Sequence, residues 1–158
     1  MNALLAIKPE FAEKILSGKK QYEFRRTVFR DTAEIELIYL YASSPLKEIV
    51  GLFTSERIIE APPEELWELY GSESGIENRD RFMTYFDGVD TGFAIEVNDT
   101  HRFQQSVDPN IDFNGFSPPM SFNYLDDREN EILRQHVPRS FREKTAPTKL
   151  TRYTSDQA

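Results

Sequence analysis

Between Pro9 and Arg25 the apolar residues change period once, and that change restricts the chain to folds that mix helices with strands. Phe11, Ala12, Ile15 and Leu16 recur at the spacing of one helical face. Pro9 suits the first turn, and Gly18 stands where a left-handed cap would stop the helix. From Lys20 the period is two. Tyr22 and Phe24 share one side of an extended segment, and Glu23 and Arg25 share the other.

The rest of the chain continues the mixture. Residues 3–7 read as a buried strand, 35–42 as a third strand, and 48–59 as one long fourth strand in which Gly51 marks a bulge or a close backbone approach. Pro62-Pro63-Glu64-Glu65 opens a helix striped by Leu66, Trp67 and Tyr70, and residues 79–86 form another with Phe82, Met83 and Phe86 inward. Residues 92–97 alternate as a strand, and 103–107 are expected to pair with it. Residues 126–137 read as a helix. Beyond Pro138 the apolar pattern ends, so a loosely packed tail is expected. The order predicts an α+β fold, with neighbouring strands curled into a small barrel rather than a doubly wound parallel sheet. One domain over residues 1–125 is expected, followed by a C-terminal helix and a basic, flexible tail over 126–158.

Composition narrows the chemistry. The 158 residues contain no cysteine, which excludes disulfides, thiolate catalysis and cysteine-based metal sites. His101 and His136 are far apart in sequence, so no metal and no cofactor are expected. The net charge is −8, from 19 Lys+Arg against 27 Asp+Glu. Residues 139–158 carry +3 through Arg139, Arg142, Lys144, Lys149 and Arg152 against Glu143 and Asp156, which leaves −11 on residues 1–138. A protein that grips long duplex nucleic acid through phosphates is basic over a wide surface. Here a polyanion would have to use a local site on an acidic body, or the tail. No segment is long and apolar enough to span a bilayer, and the N-terminus lacks a signal-peptide pattern, so a cytoplasmic location is expected.

The segment after Gly18 is the richest in chemistry. Glu23 and Arg25 lie side by side on their strand, and Lys20 stands at its start, able to swing to either face. A carboxylate beside a guanidinium and an ammonium can accept from an amine or take a proton, while the cations hold a phosphate or a developing oxyanion. The competing reading is an ordinary solvated strand face.

Gly18-x-Lys20-x-x-Glu23-x-Arg25 resembles the G-x-K-x-x-E-x-R signature of ASCH domains, members of the PUA-like superfamily. The resemblance extends to the segment from Leu5-Ala6-Ile7-Lys8-Pro9 to Ala12, to Tyr41-Ala42-Ser43-Ser44-Pro45, to Ile49-Val50-Gly51, to Tyr85-Phe86-x-Gly88 and to Pro118-Pro119-Met120-Ser121-Phe122. It implies a PUA-like mixed β-barrel of five to six strands, helices around the rim, and a cleft into which the signature residues point. It also implies binding of RNA or of a single nucleotide or modified nucleoside, in some relatives with a regulatory role. Some relatives are enzymes: one branch hydrolyses the acyl amide of N4-acetylcytidine with a Lys, a Thr and a Glu, and another relative is a ribonuclease. Lys20 matches the catalytic lysine of the amidohydrolase branch. Glu23 occupies the place of its threonine, and the branch's glutamate would fall near Glu73 or Glu77.

The resulting ligand-binding candidates are Lys20, Glu23, Arg25, Lys8, Tyr41, Ser43 and Ser44; Lys20 and Glu23 would be catalytic if the protein is an enzyme. Lys8 leaves the first strand beside the glycine turn. Tyr41 is either a stacking platform for a base or a core aromatic. Ser43 and Ser44 are turn residues that can also face a phosphate.

Overall fold

A computed structural model of the chain describes residues 1–144 and 149–153. In it, the alternation of side chains along the strands sorts the interior into three apolar layers around two sheets. The chain runs through β1 (Ala3–Ile7), α1 (Pro9–Leu16), β2 (Tyr22–Arg25), β3 (Ile38–Ala42), β4 (Glu48–Phe53) and β5 (Arg57–Ala61). It continues through α2 (Pro63–Tyr70), α3 (Arg79–Tyr85), β6 (Gly92–Glu96), β7 (Thr100–Val107) and α4 (Pro109–Asp112). It closes with β8 (Phe122–Tyr124), α5 (Asp127–Arg134), α6 (Arg139–Lys144) and β9 (Lys149–Arg152).

The architecture is α+β. Five strands form a sheet in the order β7-β4-β3-β1-β8, and four form a second in the order β2-β6-β5-β9. The expected barrel is therefore corrected to two separate sheets rather than one closed cylinder. The reason lies at two adjacent crossings. The stretch read as one long strand over 48–59 breaks after Phe53, so that β4 belongs to the first sheet and β5 to the second. Next to that break the chain crosses back between β6 and β7. Two backbone hydrogen bonds tie the two crossings together: the Thr54 N–H donates to the Asp99 carbonyl (2.8 Å) and the Asn98 N–H to that of Thr54 (2.9 Å). Residues 103–107 accordingly pair with β4 and not with residues 92–97.

Gly51 sits at an irregularity in register between β4 and both of its neighbours. A Cβ there would stand 2.5 Å from the His101 carbonyl oxygen, so the close approach of β7 requires glycine.

Leu5, Ile7, Ile38 and Leu40 of the first sheet meet Ile58 and Ile95 of the second, with Ala12 and Ile15 of α1 in the same layer. Leu4, Tyr39, Tyr41, Leu52 and Phe103 cover the outer face of the first sheet against Leu133 and Val137. Tyr22, Phe24, Ile59 and Ala94 cover the outer face of the second against Leu66 of α2 and Phe82 of α3. Both sheets are thus buried on both sides over much of their area. This is why β3 reads as an unbroken apolar run rather than an alternating one.

The tail departs in part from expectation. Lys149–Arg152, which lack an apolar pattern, run parallel to β5 as β9, and the Tyr153 N–H donates to the Glu60 carbonyl. The expected looseness of residues 145–148 and 154–158 falls outside the described residues. Among the described residues no helix is long and apolar enough to cross a membrane.

Candidate functional site

The layered interior decides where the charged face of β2 goes. Tyr22 and Phe24 pack outward against α2 and α3. Glu23 stands opposite Ile95 in the β2–β6 ladder, so it shares a face with a residue of the layer between the sheets. The face that alternation leaves polar is turned inward, at the open edge of the second sheet. Glu23 is only 5% exposed and Lys20 only 1%.

Two glycines bring Lys20 there. Gly18, at φ +85°, ends α1, and the Lys20 N–H donates to the Lys14 carbonyl (2.9 Å), which reverses the chain into β2. Gly75, at φ +71°, lets residues 71–76 close over the lysine; a Cβ there would lie 3.4 Å from the Lys20 Cβ and 3.1 Å from the Lys14 Cδ.

The three signature side chains form one cluster. Lys20 Nζ lies 3.2 Å from Glu23 Oε1, and Arg25 Nη1 donates to Glu23 Oε2 at 3.1 Å. The Lys20 ammonium also donates to the Ser74 carbonyl and lies 4.8 Å from the centre of the Phe11 ring. Arg25 Nη2 reaches across the gap to Ser121, donating to its Oγ (2.9 Å) and its carbonyl (3.2 Å). The same carbonyl accepts from the Ala6 N–H, so the segment before β8 is pinned to β1 and to Arg25 together. The Arg25 Nε–H is buried and has no hydrogen-bond partner among the described residues.

Burial pushes the Lys20 pKa below the ordinary lysine value of 10.5, with the Glu23 carboxylate opposing. Tyr85, at the rim, is 42% exposed, yet desolvation holds its phenol above the usual tyrosine range, against the pull of Arg25.

These groups wall a cleft of about 460 Å³ between the C-terminal end of β1, the start of α1, β2, α3 and the segment before β8. Lys8, Lys20, Arg25, Arg26 and Arg81 line it, and Glu23 is the one carboxylate among the lining residues. On a chain of net charge −8 this is a local excess of positive charge facing a hollow.

The sequence candidates divide accordingly. Lys20, Glu23, Arg25, Lys8 and Ser43 line the cleft. Ser44 is exposed and is not part of the lining, and Tyr41 packs on the outer face of the first sheet with its ring 5.3 Å from that of Phe116. Glu73 and Glu77 are exposed and do not line the cleft either. Arg26, Arg81, Tyr85, Met120 and Ser121 line it but were not singled out as site residues. Tyr85, Met120 and Ser121 lie within segments that carry the family resemblance, and Arg26 directly follows the signature. Among the described residues no group of three or more His, Asp or Glu is placed to hold a metal ion.

The family profile described as "Domain of unknown function (DUF365)" matches residues 4–115. The chain is 31% identical over 137 residues to a protein named "ASCH domain-containing ribonuclease" from Zymomonas mobilis, covering 83% of this chain and 88% of that one. Among solved structures, the ASCH protein from Zymomonas mobilis superposes with a TM-score of 0.77 at 26% identity, covering 94% of this chain and 98% of that one. A serine-to-alanine variant of the same protein superposes with a TM-score of 0.78 at 28% identity, covering 85% of this chain and 94% of that one.

Proposed function

The chain belongs to the ASCH domain family, and from that premise we propose that its cleft binds single-stranded RNA. The observation that carries this reading is the ring of five cations around one carboxylate on an otherwise acidic protein. A hollow of this size takes one nucleotide, with Lys8 and Arg26 facing the phosphates and Arg81, which also pairs with Glu10 at 3.0 Å, at the rim. The footprint is short, because the charge around it is negative.

In this arrangement Glu23 first serves the two cations beside it. Both of its oxygens are engaged, one by Lys20 and one by Arg25, and each keeps a second lone pair that can accept from an exocyclic amine. Its work is to hold two buried cations at the cleft wall.

A second reading adds cleavage, and two observations favour it. A relative carries the name ribonuclease, and Lys20 is buried where its ammonium is disfavoured. A lysine that gives up its proton more readily than usual can take the proton of a ribose 2′-hydroxyl. The freed oxygen attacks the adjacent phosphorus, the bond to the 5′-oxygen breaks, and a 2′,3′-cyclic phosphate forms. Tyr85, held in its protonated form, is placed to return a proton to the leaving 5′-oxygen, and Arg25 and Arg26 face the developing negative charge. Amide hydrolysis of an acetylated cytidine fits less well, because Glu23 stands where that chemistry uses threonine and neither Glu73 nor Glu77 reaches the cleft.

One experiment addresses both readings. Single-stranded RNA is titrated against wild type, Arg25→Gln and the exposed-site variant Arg26→Gln, and the products are resolved by length. The Arg26→Gln protein should bind about tenfold more weakly with a shallower salt dependence. Equal affinity for wild type and both variants would remove the cleft as the RNA site. Undiminished cleavage by Lys20→Met would remove the lysine from the chemistry while leaving the binding reading intact.

A further inference from the structure

The cleft does not end at Thr27 and Ser121. The next residue of each segment, Val28 and Phe122, lines a second hollow of about 360 Å³, completed by Arg30, Asp31 and Tyr124. The linings of the two hollows thus follow one another directly along two chain segments. In a strand of RNA, consecutive nucleotides are likewise neighbours.

The second hollow carries an exposed aromatic and an unpaired cation. Tyr124 is 37% exposed, unlike Phe29, which is buried with its ring 4.9 Å from that of Phe122. The Asp31 N–H donates to the Tyr124 hydroxyl at 3.1 Å, which fixes the phenol and leaves its hydroxyl proton free to donate. Arg30 is exposed and has no ion-pair partner among the described residues. Asp31 lines the same hollow and offsets part of that charge. A ring face beside a guanidinium is the arrangement that holds a base and its phosphate with little regard to base identity. The Tyr124 ring meets Phe122 edge-on at 6.1 Å and is otherwise open to solvent over about a third of its surface, 37% of the residue being exposed.

We infer that the hollow walled by Arg30 and Tyr124 is the subsite for the nucleotide adjoining the one held in the cleft, with the base on the Tyr124 ring and the phosphate at Arg30. This rests on the RNA reading of the cleft. It gives the strand a direction of exit, along β8 and away from α3.

The test uses adenosine monophosphate and 2′-fluoro oligoadenylates of two and four nucleotides, which lack the hydroxyl needed for cleavage, with calorimetry on the full chain. Wild type should gain about tenfold in affinity from one nucleotide to two. Arg30→Gln and Tyr124→Leu should bind the mononucleotide like wild type and lose most of that gain, and Tyr124→Phe should keep it. Because Arg30 is exposed, its variant is not expected to disturb folding. A gain that is absent in wild type, or unchanged in Arg30→Gln and Tyr124→Leu, overturns the subsite alone. If no oligonucleotide binds wild type, the cleft reading falls and the subsite falls with it.

Discussion

Two Glu-centred ion clusters in this molecule differ in the opposite sense to their geometry. On the surface, Arg102 of β7 grips Glu13 of α1 with two bonds of 2.8 Å, and both side chains are at least half exposed. In the cleft, Glu23 meets Lys20 and Arg25 at 3.2 and 3.1 Å, and no side chain of the three is more than 11% exposed. By distance the surface pair is the better one. By solvent it is the weaker, because water screens both charges and competes for both partners. The titration of each cluster follows. The hydrogen bond from Arg102 holds the Glu13 carboxyl below its ordinary value of 4.5. Burial is the larger influence on Lys20, and it works against the charge that Glu23 supports. In one cluster the partner is the larger influence on the titration; in the other, exclusion of water is.

The largest expected effect therefore lies in the cleft. Glu23→Ala leaves two cations inside the protein without their anion, and denaturant unfolding should show a loss of about 3–5 kcal/mol. A loss below about 1 kcal/mol, the size of an exposed pair, would mean that water reaches the cluster freely and that the contrast with Glu13 is one of position only.

A pH series sharpens the same contrast. The folded-state pKa of Lys20 lies below its unfolded value of 10.5. Between those two values the unfolded chain binds more protons, so the contribution of this group to stability rises with pH. Its cost is full below the folded pKa and vanishes as pH passes 10.5. Lys20→Met carries no proton there. The stability of wild type relative to that variant should improve from pH 7 toward 10.5, by about 1.4 kcal/mol for each unit by which the pKa is depressed. A flat difference over that range would show that Lys20 is no harder to charge than a surface lysine.

The split between the clusters was only partly legible in the sequence. The helix, the glycine turn and the period-two segment after it were readable because each has a local cause, and Gly18 does adopt the left-handed geometry its place implies. Alternation separated Tyr22 and Phe24 from Glu23 and Arg25, but it cannot say whether the polar side meets water or a second layer. That depends on Ile95, about 70 residues away in sequence, standing opposite Glu23. The break at Thr54 was invisible for a similar reason: the residue types of 48–59 read as one strand, and only the crossing beside Asn98 sends its halves to different sheets. Tyr41 shows the converse limit. Its strand is buried on both faces, so its alternation with Leu40 did not reveal that it turns away from the cleft. β9 pairs through its backbone at a sheet edge, with little apolar patterning to announce it.

The smallest expected effect belongs to the surface pair. In Glu13→Gln the change removes one charge but leaves Arg102 in water, where nothing must be found to replace its partner. The loss should be at most about 1 kcal/mol at low salt and should shrink further as ionic strength rises. Its pH dependence has the same sense as that of Lys20 but falls in the acid range instead of the alkaline one. The folded carboxyl is below 4.5, so its contribution is present above that value and disappears as pH falls through the lowered folded pKa. Wild type and Glu13→Gln should therefore converge in acid, where wild type and Lys20→Met do not. Thermal unfolding at pH 7 and pH 3, each at low and high salt, separates these outcomes. A Glu13→Gln loss that approaches that of Glu23→Ala and resists salt would mean that α1 and β7 depend on this pair for their docking, and that hydrogen-bond geometry outranks burial in this fold after all.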